Sequence, residues 1–298
     1  MDLLKAYVLK ALCFLLLTSC AKVGYISEQA VGQMALEYDD IDVQEFLDDP
    51  KQKKEYQQKV NIVLKAKDYF YNYFDIKKVP IYDEVKILDQ DAVTYLVIHS
   101  PKDEIKAIRT WFPIMGSFPY LGFFSKDSAN GFENEKKKAG FHTYQRPVYA
   151  YSTLNHPLMP FDDNILSSFF FYNDRALAEL IFHELTHTII FLGDNISFNE
   201  NLANFISEKL LIEYLKLNKA EELKIKSKQE RQKKLGQKIV VLSKELNQMY
   251  KAKKSLSDFN PKNILASFLE QKFLPEIKSY CAELGMEKCW PLKQDWNN

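Results

Sequence analysis

The stretch Leu177–Ile206, LAELIFHELTHTIIFLGDNISFNENLANFI, decides how the rest of the chain is read. Within it HELTH holds two of the chain's five histidines, His183 and His187, on either side of Glu184. On a helix of 3.6 residues per turn, positions four apart lie about 40° from one another, so the two rings converge on one point beside the helix. Zinc takes neutral imidazole nitrogens at about 2.0–2.1 Å, and a helix offers such a pair with little strain. Glu184 can reach a water beside that metal without binding the ion. Zinc lowers the pKa of such a water, and a carboxylate takes its proton as it attacks a carbonyl. The flanking residues Leu180, Ile181, Phe182, Leu185, Thr186, Thr188 and Ile189 are uncharged, which makes the helix dry. Buried histidines also occur simply bonded to backbone carbonyls, so HELTH alone does not choose between a metal site and a packed helix.

A catalytic zinc needs a third protein ligand and an open fourth position. The acids downstream are Asp194, Glu200 and Glu208. Glu200 is the best placed: Gly193 ends the first helix, DNISF turns the chain, and NENLANFISEKL starts a second helix whose first turn comes back beside His187. A rival role exists. Ser197 and Glu200 form an S-x-x-E capping box, in which Glu200 bonds to the backbone amide of Ser197. That role explains Glu200 without a metal but leaves HELTH unexplained, and the ligand reading is favoured.

IFHELTH followed by FNENLANF resembles the gluzincin metallopeptidases, whose second helix carries an Asn-Glu pair with the Glu as third zinc ligand. More narrowly, the chain is similar to a bacterial family of predicted aminopeptidases, usually lipoproteins. The matching stretches are GYISEQAVGQ, TWFPIMGSFPYLGFF, VYAYSTL, LAELIFHELTH and FNENLANF, in order between residues 20 and 210. The resemblance implies a zincin-like domain, zinc on His183, His187 and Glu200, Glu184 as general base, and a peptide or protein substrate. One position departs from the wider clan. Thermolysin-like members carry an Asp four residues after the third ligand to orient a ligand histidine; here Asn204 stands there, able to hydrogen-bond but adding no charge.

The N-terminus, MDLLKAYVLKALCFLLLTSCAKVG, places two lysines before an apolar run and small residues, the layout of a secretory signal peptide. Leu17-Thr18-Ser19-Cys20 resembles a lipobox, so residues 1–19 are expected to be removed and the chain held at the membrane by lipid on Cys20, as an exported cell-envelope lipoprotein. The remaining cysteines, Cys281 and Cys289, form either a small disulfide loop, as an oxidising compartment permits, or two free thiols. Forty basic residues balance forty acidic ones, so nothing global points to nucleic acid.

The remaining pattern predicts an α+β protein with a small mixed or antiparallel sheet. It reads as a single unit over residues 20–298, with an α+β part to 172 and a mainly helical part from 173. Apolar residues at Tyr56, Val60, Val63, Phe70 and Phe74 predict a helix. Ala92–Ser100 predicts a strand with Ile105–Phe112 as its return, Ser125–Gly140 a helix with a glycine stop, and Thr143–Leu154 a strand that Pro147 pushes to an edge. The helix carrying HELTH is expected from Arg175 to Leu192, capped by Asn173 or Asp174. Between Lys219 and Lys254 twelve basic residues outnumber four acidic ones, which suits either a polyanion-binding patch or the solvated faces of long helices. Tyr149 and Tyr151 alternate onto one face of the strand before the zinc helix. Either is a candidate oxyanion donor, and both also suit a packed core. His142 and His156 are weaker site candidates, and His99 reads as structural. The competing function is a non-catalytic lipoprotein that keeps this fold for binding or envelope structure; an intact Glu184 argues against it.

Overall fold

A computed structural model describes residues 24–36, 38–112, 116–150, 163–192, 195–294 and 296. Tyr151, His156, Gly193, Asp194 and the N-terminal segment with Cys20 lie outside the described residues. The elements in chain order are α1 (24–36), β1 (Ile41–Asp42), α2 (Val43–Asp48), α3 (Lys54–Phe74), β2 (Glu84–Lys86), β3 (Thr94–Ser100), β4 (Thr110–Phe112), β5 (Gly116–Phe118), β6 (Leu121–Phe123), α4 (Lys126–Lys138), β7 (His142–Val148), β8 (Ile165–Leu166), α5 (Asp174–Ile189), α6 (Ile196–Tyr214), α7 (Lys219–Lys253), α8 (Pro261–Phe268) and α9 (Leu274–Glu283). Helices dominate and strands are short, which makes the class α+β. Instead of one sheet the described residues form three, ordered β1-β2-β8, β6-β3-β7 and β4-β5. The first is mixed, with β1 antiparallel and β8 parallel to β2. No helix among the described residues is long and apolar enough to cross a membrane.

The chain folds into two compact units that interleave in sequence. The first takes residues up to Tyr95, Phe123–Lys126 and Pro147–Lys216; the second takes Leu96–Gly122, Asp127–Arg146 and everything from Leu217. The position 172/173, where the sequence suggests an internal division, falls inside the first unit.

In the first unit α3 forms as its apolar spacing predicts. Val60, Val63, Ala66 and Phe70 are buried and share a core with Leu177, Ile181, Phe182 and Leu185 of α5. Two lysines on α3 are buried as well, and each is used as a tie. Lys59 Nζ donates to the carbonyl of Tyr172 at 2.6 Å and to Asp174 Oδ1 at 2.7 Å, fixing the start of α5. Lys67 Nζ donates to the carbonyl of Ile81 and to Asp83 Oδ1, both at 2.5 Å, and so straddles Tyr82. Gly32 of α1 lies against Phe124, where a Cβ would come within 2.2 Å of ring carbons. Two of the stretches that carry the family resemblance thus meet at that contact.

β3 lies between β6 and β7, so neither of its edges is left for the expected return strand. Only Thr110–Phe112 of that segment is extended, and it pairs with β5; a single bond from Ile108 N–H to the His99 carbonyl, 2.9 Å, links the segment to β3. β7 is an edge strand, as Pro147 requires. α4 ends at Gly140 (φ 90°) in a Schellman arrangement, with Phe141 N–H donating to the Lys136 carbonyl and Gly140 N–H to that of Lys137. The basic stretch is one helix, α7, opened by a capping box between Asn218 and Glu221. Leu235, Leu242, Leu246 and Tyr250 form its buried stripe, and none of its lysines is buried, which matches solvated helix faces. Its core partners are Ile264, Phe268, Leu269, Phe273 and Ile277. Cys281 and Cys289 are disulfide-bonded.

Candidate metal centre

α5 is capped by Asn173, whose side chain accepts from Ala176 N–H at 3.0 Å. Its apolar face is driven into the first unit's core, which leaves His183 and His187 on a common side. The helix stops at Ile189, three residues short of the sequence expectation, because Ile190 adopts an extended backbone (φ −139°). Asn199 accounts for the return of the chain. Its side-chain oxygen accepts from Leu192 N–H and its amide nitrogen donates to the Leu192 carbonyl, both at 2.9 Å. Asn199 is 2% exposed, so its half of this two-way clamp is buried.

The rival capping box of Ser197 and Glu200 is not formed. Asn195 caps α6 instead, accepting from Phe198 N–H at 3.2 Å, and Ser197 sits inside the first turn. Glu200 is released from that duty and turns toward the histidines. Its Oε2 lies 3.3 Å from His183 Nε2 and its Oε1 3.5 Å from His187 Nε2; the two Nε2 atoms are 3.3 Å apart. Four ligands around zinc at 2.0–2.2 Å are about 3.3–3.5 Å from one another, the edge of a tetrahedron. Each histidine thus stands at about that spacing from the other and from one oxygen of Glu200, a different oxygen for each, and the three side chains, with ligand atoms within 4.8 Å of one another, could hold an ion. Glu200 is half-exposed, so the cluster opens to solvent on that side.

Asn204 Oδ1 lies 3.1 Å from His183 Nδ1. A carbonyl oxygen there requires the proton on Nδ1, which leaves the Nε2 lone pair facing His187 and Glu200. Burial, and then the neighbouring His183, lower the pKa of His187, which favours the neutral form that metals bind. Glu184 is pushed up to about 8, first by burial and then by the negative charges of Asp163 and Glu200. Acidic groups thus crowd one place, an electrostatic arrangement that a cation would relieve.

Asp163 and Tyr82 carry no signal in the sequence, yet both act on Glu184's surroundings. Tyr82 is buried with φ 60°, a left-handed conformation that is costly for a bulky residue. Its N–H donates to the Asp163 carbonyl at 2.8 Å, while Lys67 binds the residues on both sides. Burial, then the charges of Glu184 and Asp163, hold its hydroxyl in the protonated form.

The other candidates go elsewhere. Tyr149 packs its ring on Phe171 and Tyr172, at 6.1 and 6.2 Å, beside a hollow it shares with Asp91. Among the described contacts none joins it to the three-residue cluster. Glu208 lies farther along α6 and is not among the clustered ligands. His99 is buried edge-on to Phe132 and Phe141, as a structural histidine would be, and His142 belongs to the second unit.

The sequence matches the family model described as "Putative aminopeptidase" over residues 24–298. The chain belongs to that family. The family match runs well past residue 210, where the matching stretches in the sequence end, and so takes in α7–α9. Neither a curated protein nor a solved structure matches the chain. The family name supports a peptidase, hence a hydrolase, and is compatible with use of a metal at the His183–His187–Glu200 cluster.

Proposed function

We propose that this chain is a zinc-dependent peptidase, an aminopeptidase as its family name suggests, with a zincin-like catalytic domain, exported and anchored by lipid on Cys20. The observation that carries the metal reading is the convergence of His183, His187 and Glu200, whose ligand atoms all lie within 4.8 Å of one another. His183, His187 and Glu200 hold the ion, and Asn204 fixes the tautomer of His183. Zinc in such a site polarises a carbonyl and makes water a nucleophile near neutral pH. Glu184, next to His183 and partly shielded from water, accepts the proton released as water attacks the peptide carbonyl, and returns it to the departing amine. The side of the cluster left open by half-exposed Glu200 is where a peptide would enter.

The test is a metal count and an activity assay on the same preparations. The purified chain should contain about one zinc, and His187→Ala should lose it. Glu184→Gln should keep the zinc and lose roughly 10²–10⁴-fold in peptide hydrolysis. Full activity in Glu184→Gln with zinc retained overturns the mechanism. Peptides with free and blocked N-termini decide the aminopeptidase reading, which requires the free amine.

A further inference from the structure

The second unit contains a cavity of about 500 Å³ whose lining residues all belong to that unit. That size lies within the range of about 300–1,000 Å³ typical of small-molecule sites. Its inner wall is apolar and buried: Leu246 and Tyr250 from α7, Phe268 from α8, and Leu269 and Phe273 from the turn after it. Aromatic and aliphatic side chains at the rim are left in water, with Tyr144 54%, Ile105 46% and Trp290 43% exposed.

The wall is braced rather than loosely packed. The segment from Leu269 to Phe273 is a π-helical turn in which Leu274 N–H donates to the Leu269 carbonyl, five residues back. Pro275, which has no N–H to give, prevents the regular ladder from resuming at once. Such turns recur at functional sites, and this one brings Leu269 and Phe273 to the same cavity. The loop after β3 is fastened to α7. Asn247 Oδ1 accepts from Ile105 N–H at 2.6 Å, Asn247 Nδ2 donates to the Ile105 carbonyl at 3.3 Å, and Lys254 pairs with Asp103 at 2.5 Å. The disulfide and a bond from Trp296 Nε1 to the Pro291 carbonyl, 2.7 Å, hold the aromatic rim.

The titratable groups facing the cavity are Lys102, Glu104, His99, His142, Tyr144 and Tyr250. Lys102 and Glu104 cancel. Burial keeps His99 and His142 toward the neutral form and Tyr250 protonated. The opening therefore offers hydrogen-bond donors and acceptors without net charge, over an apolar interior.

We propose that this cavity is a binding site for a neutral monoacyl amphiphile, its chain among Leu246, Phe268 and Phe273 and its uncharged polar head toward Lys102, Glu104 and His142. The site depends on the second unit alone and stands apart from the peptidase reading. The chain could come from a free monoacylglycerol or from a lipid in a bilayer, and two arms separate these sources.

The test uses the full chain and the neutral fluorophore N-phenyl-1-naphthylamine, read by its emission and by energy transfer from Trp290 and Trp296. One saturable site is expected, with displacement by monododecanoylglycerol at least 10-fold stronger than by dodecanoate. Ser243→Trp, which fills the cavity from a half-buried position, should weaken probe binding at least 10-fold; Leu265→Trp does the same from α8 if Ser243→Trp fails to fold. His183→Ala should bind the probe as the parent does. Displacement by monododecanoylglycerol and also by phosphatidylcholine vesicles means that a bilayer can supply the chain, and displacement by monododecanoylglycerol alone assigns it to the free amphiphile; displacement by the vesicles alone overturns the proposal. Absence of saturable binding, indifference to both filling variants, or stronger displacement by dodecanoate overturns the proposal.

Discussion

Asn199 holds Leu192 by both its N–H and its carbonyl, 2.9 Å each way, and so sets the turn that brings Glu200 back to His183 and His187. The residue beside the third ligand does not touch the cluster; it closes the loop that delivers it. Asn199→Ala leaves the Leu192 N–H without its partner and its carbonyl with only the Asn195 N–H, at 3.4 Å, and so loosens the link between the two helices. The expected result is a stability loss of about 1–3 kcal/mol and a drop in metal affinity of roughly 10–100-fold. Competition with a chelator measures the second effect, and an unchanged affinity would show that α5 and α6 alone fix Glu200.

Asn204 is predicted to matter through His183's proton. Replacing it by Leu removes the acceptor for Nδ1–H and lets the ring turn or change tautomer. Metal affinity should fall by roughly 10–100-fold. Asn204→Asp, which keeps an acceptor and adds charge, should retain affinity. Equal losses in Leu and Asp variants would count against the tautomer argument.

His99 makes stability depend on pH. Burial, and then the nearby Lys136, lower its folded pKa below the ordinary value of 6.5. Between the folded value and 6.5 the unfolded chain binds the extra proton, so stability rises with pH across that window and is complete above it. Below 6.5 the protein should lose no more than about 1.4 kcal/mol per pH unit for this residue. His142, lowered by burial and Lys102, adds a second slope of the same sign. Urea denaturation at pH 5.5 and 7.5 should show the difference, and His99→Phe should reduce it. A variant whose pH dependence equals the parent's would exclude His99 as a source.

The disulfide closes a loop of eight residues in sequence separation. Cross-linking so short a loop stabilises by about 2–3 kcal/mol in the chain-entropy account. The double variant Cys281→Ser, Cys289→Ser and the parent under reductant should therefore melt alike, both below the oxidised parent. If reductant leaves the midpoint unmoved, the bond contributes nothing to the global transition.

How far the sequence carried can be argued residue by residue. The period of α3, the Asn173 cap and the Gly140 stop are local signals, set by side-chain spacing and backbone sterics, and the structure has them all. HELTH and Glu200 were legible for the same reason, since a helix, a short turn and a second helix leave little freedom. The rival capping box for Glu200 does not form, since Asn195 caps α6 and Ser197 falls inside its first turn, which the S-x-x-E spacing alone does not reveal. The partner of β3 could not be read, since strand pairing depends on chain arriving from afar. Asp163 beside Glu184 and the clamped, left-handed Tyr82 are likewise products of contacts distant in sequence. Tyr149 illustrates the converse: alternation placed it on a strand face, but the aromatic neighbours that receive it are Phe171 and Tyr172.

Lys59 and Asp174 are 115 residues apart in sequence, yet their bond seats the start of the helix that carries HELTH. The order of folding is constrained by that distance. α3 can form early from local contacts, but its buried ammonium stays unmatched until the chain through α5 has arrived, and long-range closures of this kind slow folding. Substitution of Lys59 by Met should therefore act on the docking of α5 and leave the helix content of an early collapsed state unchanged.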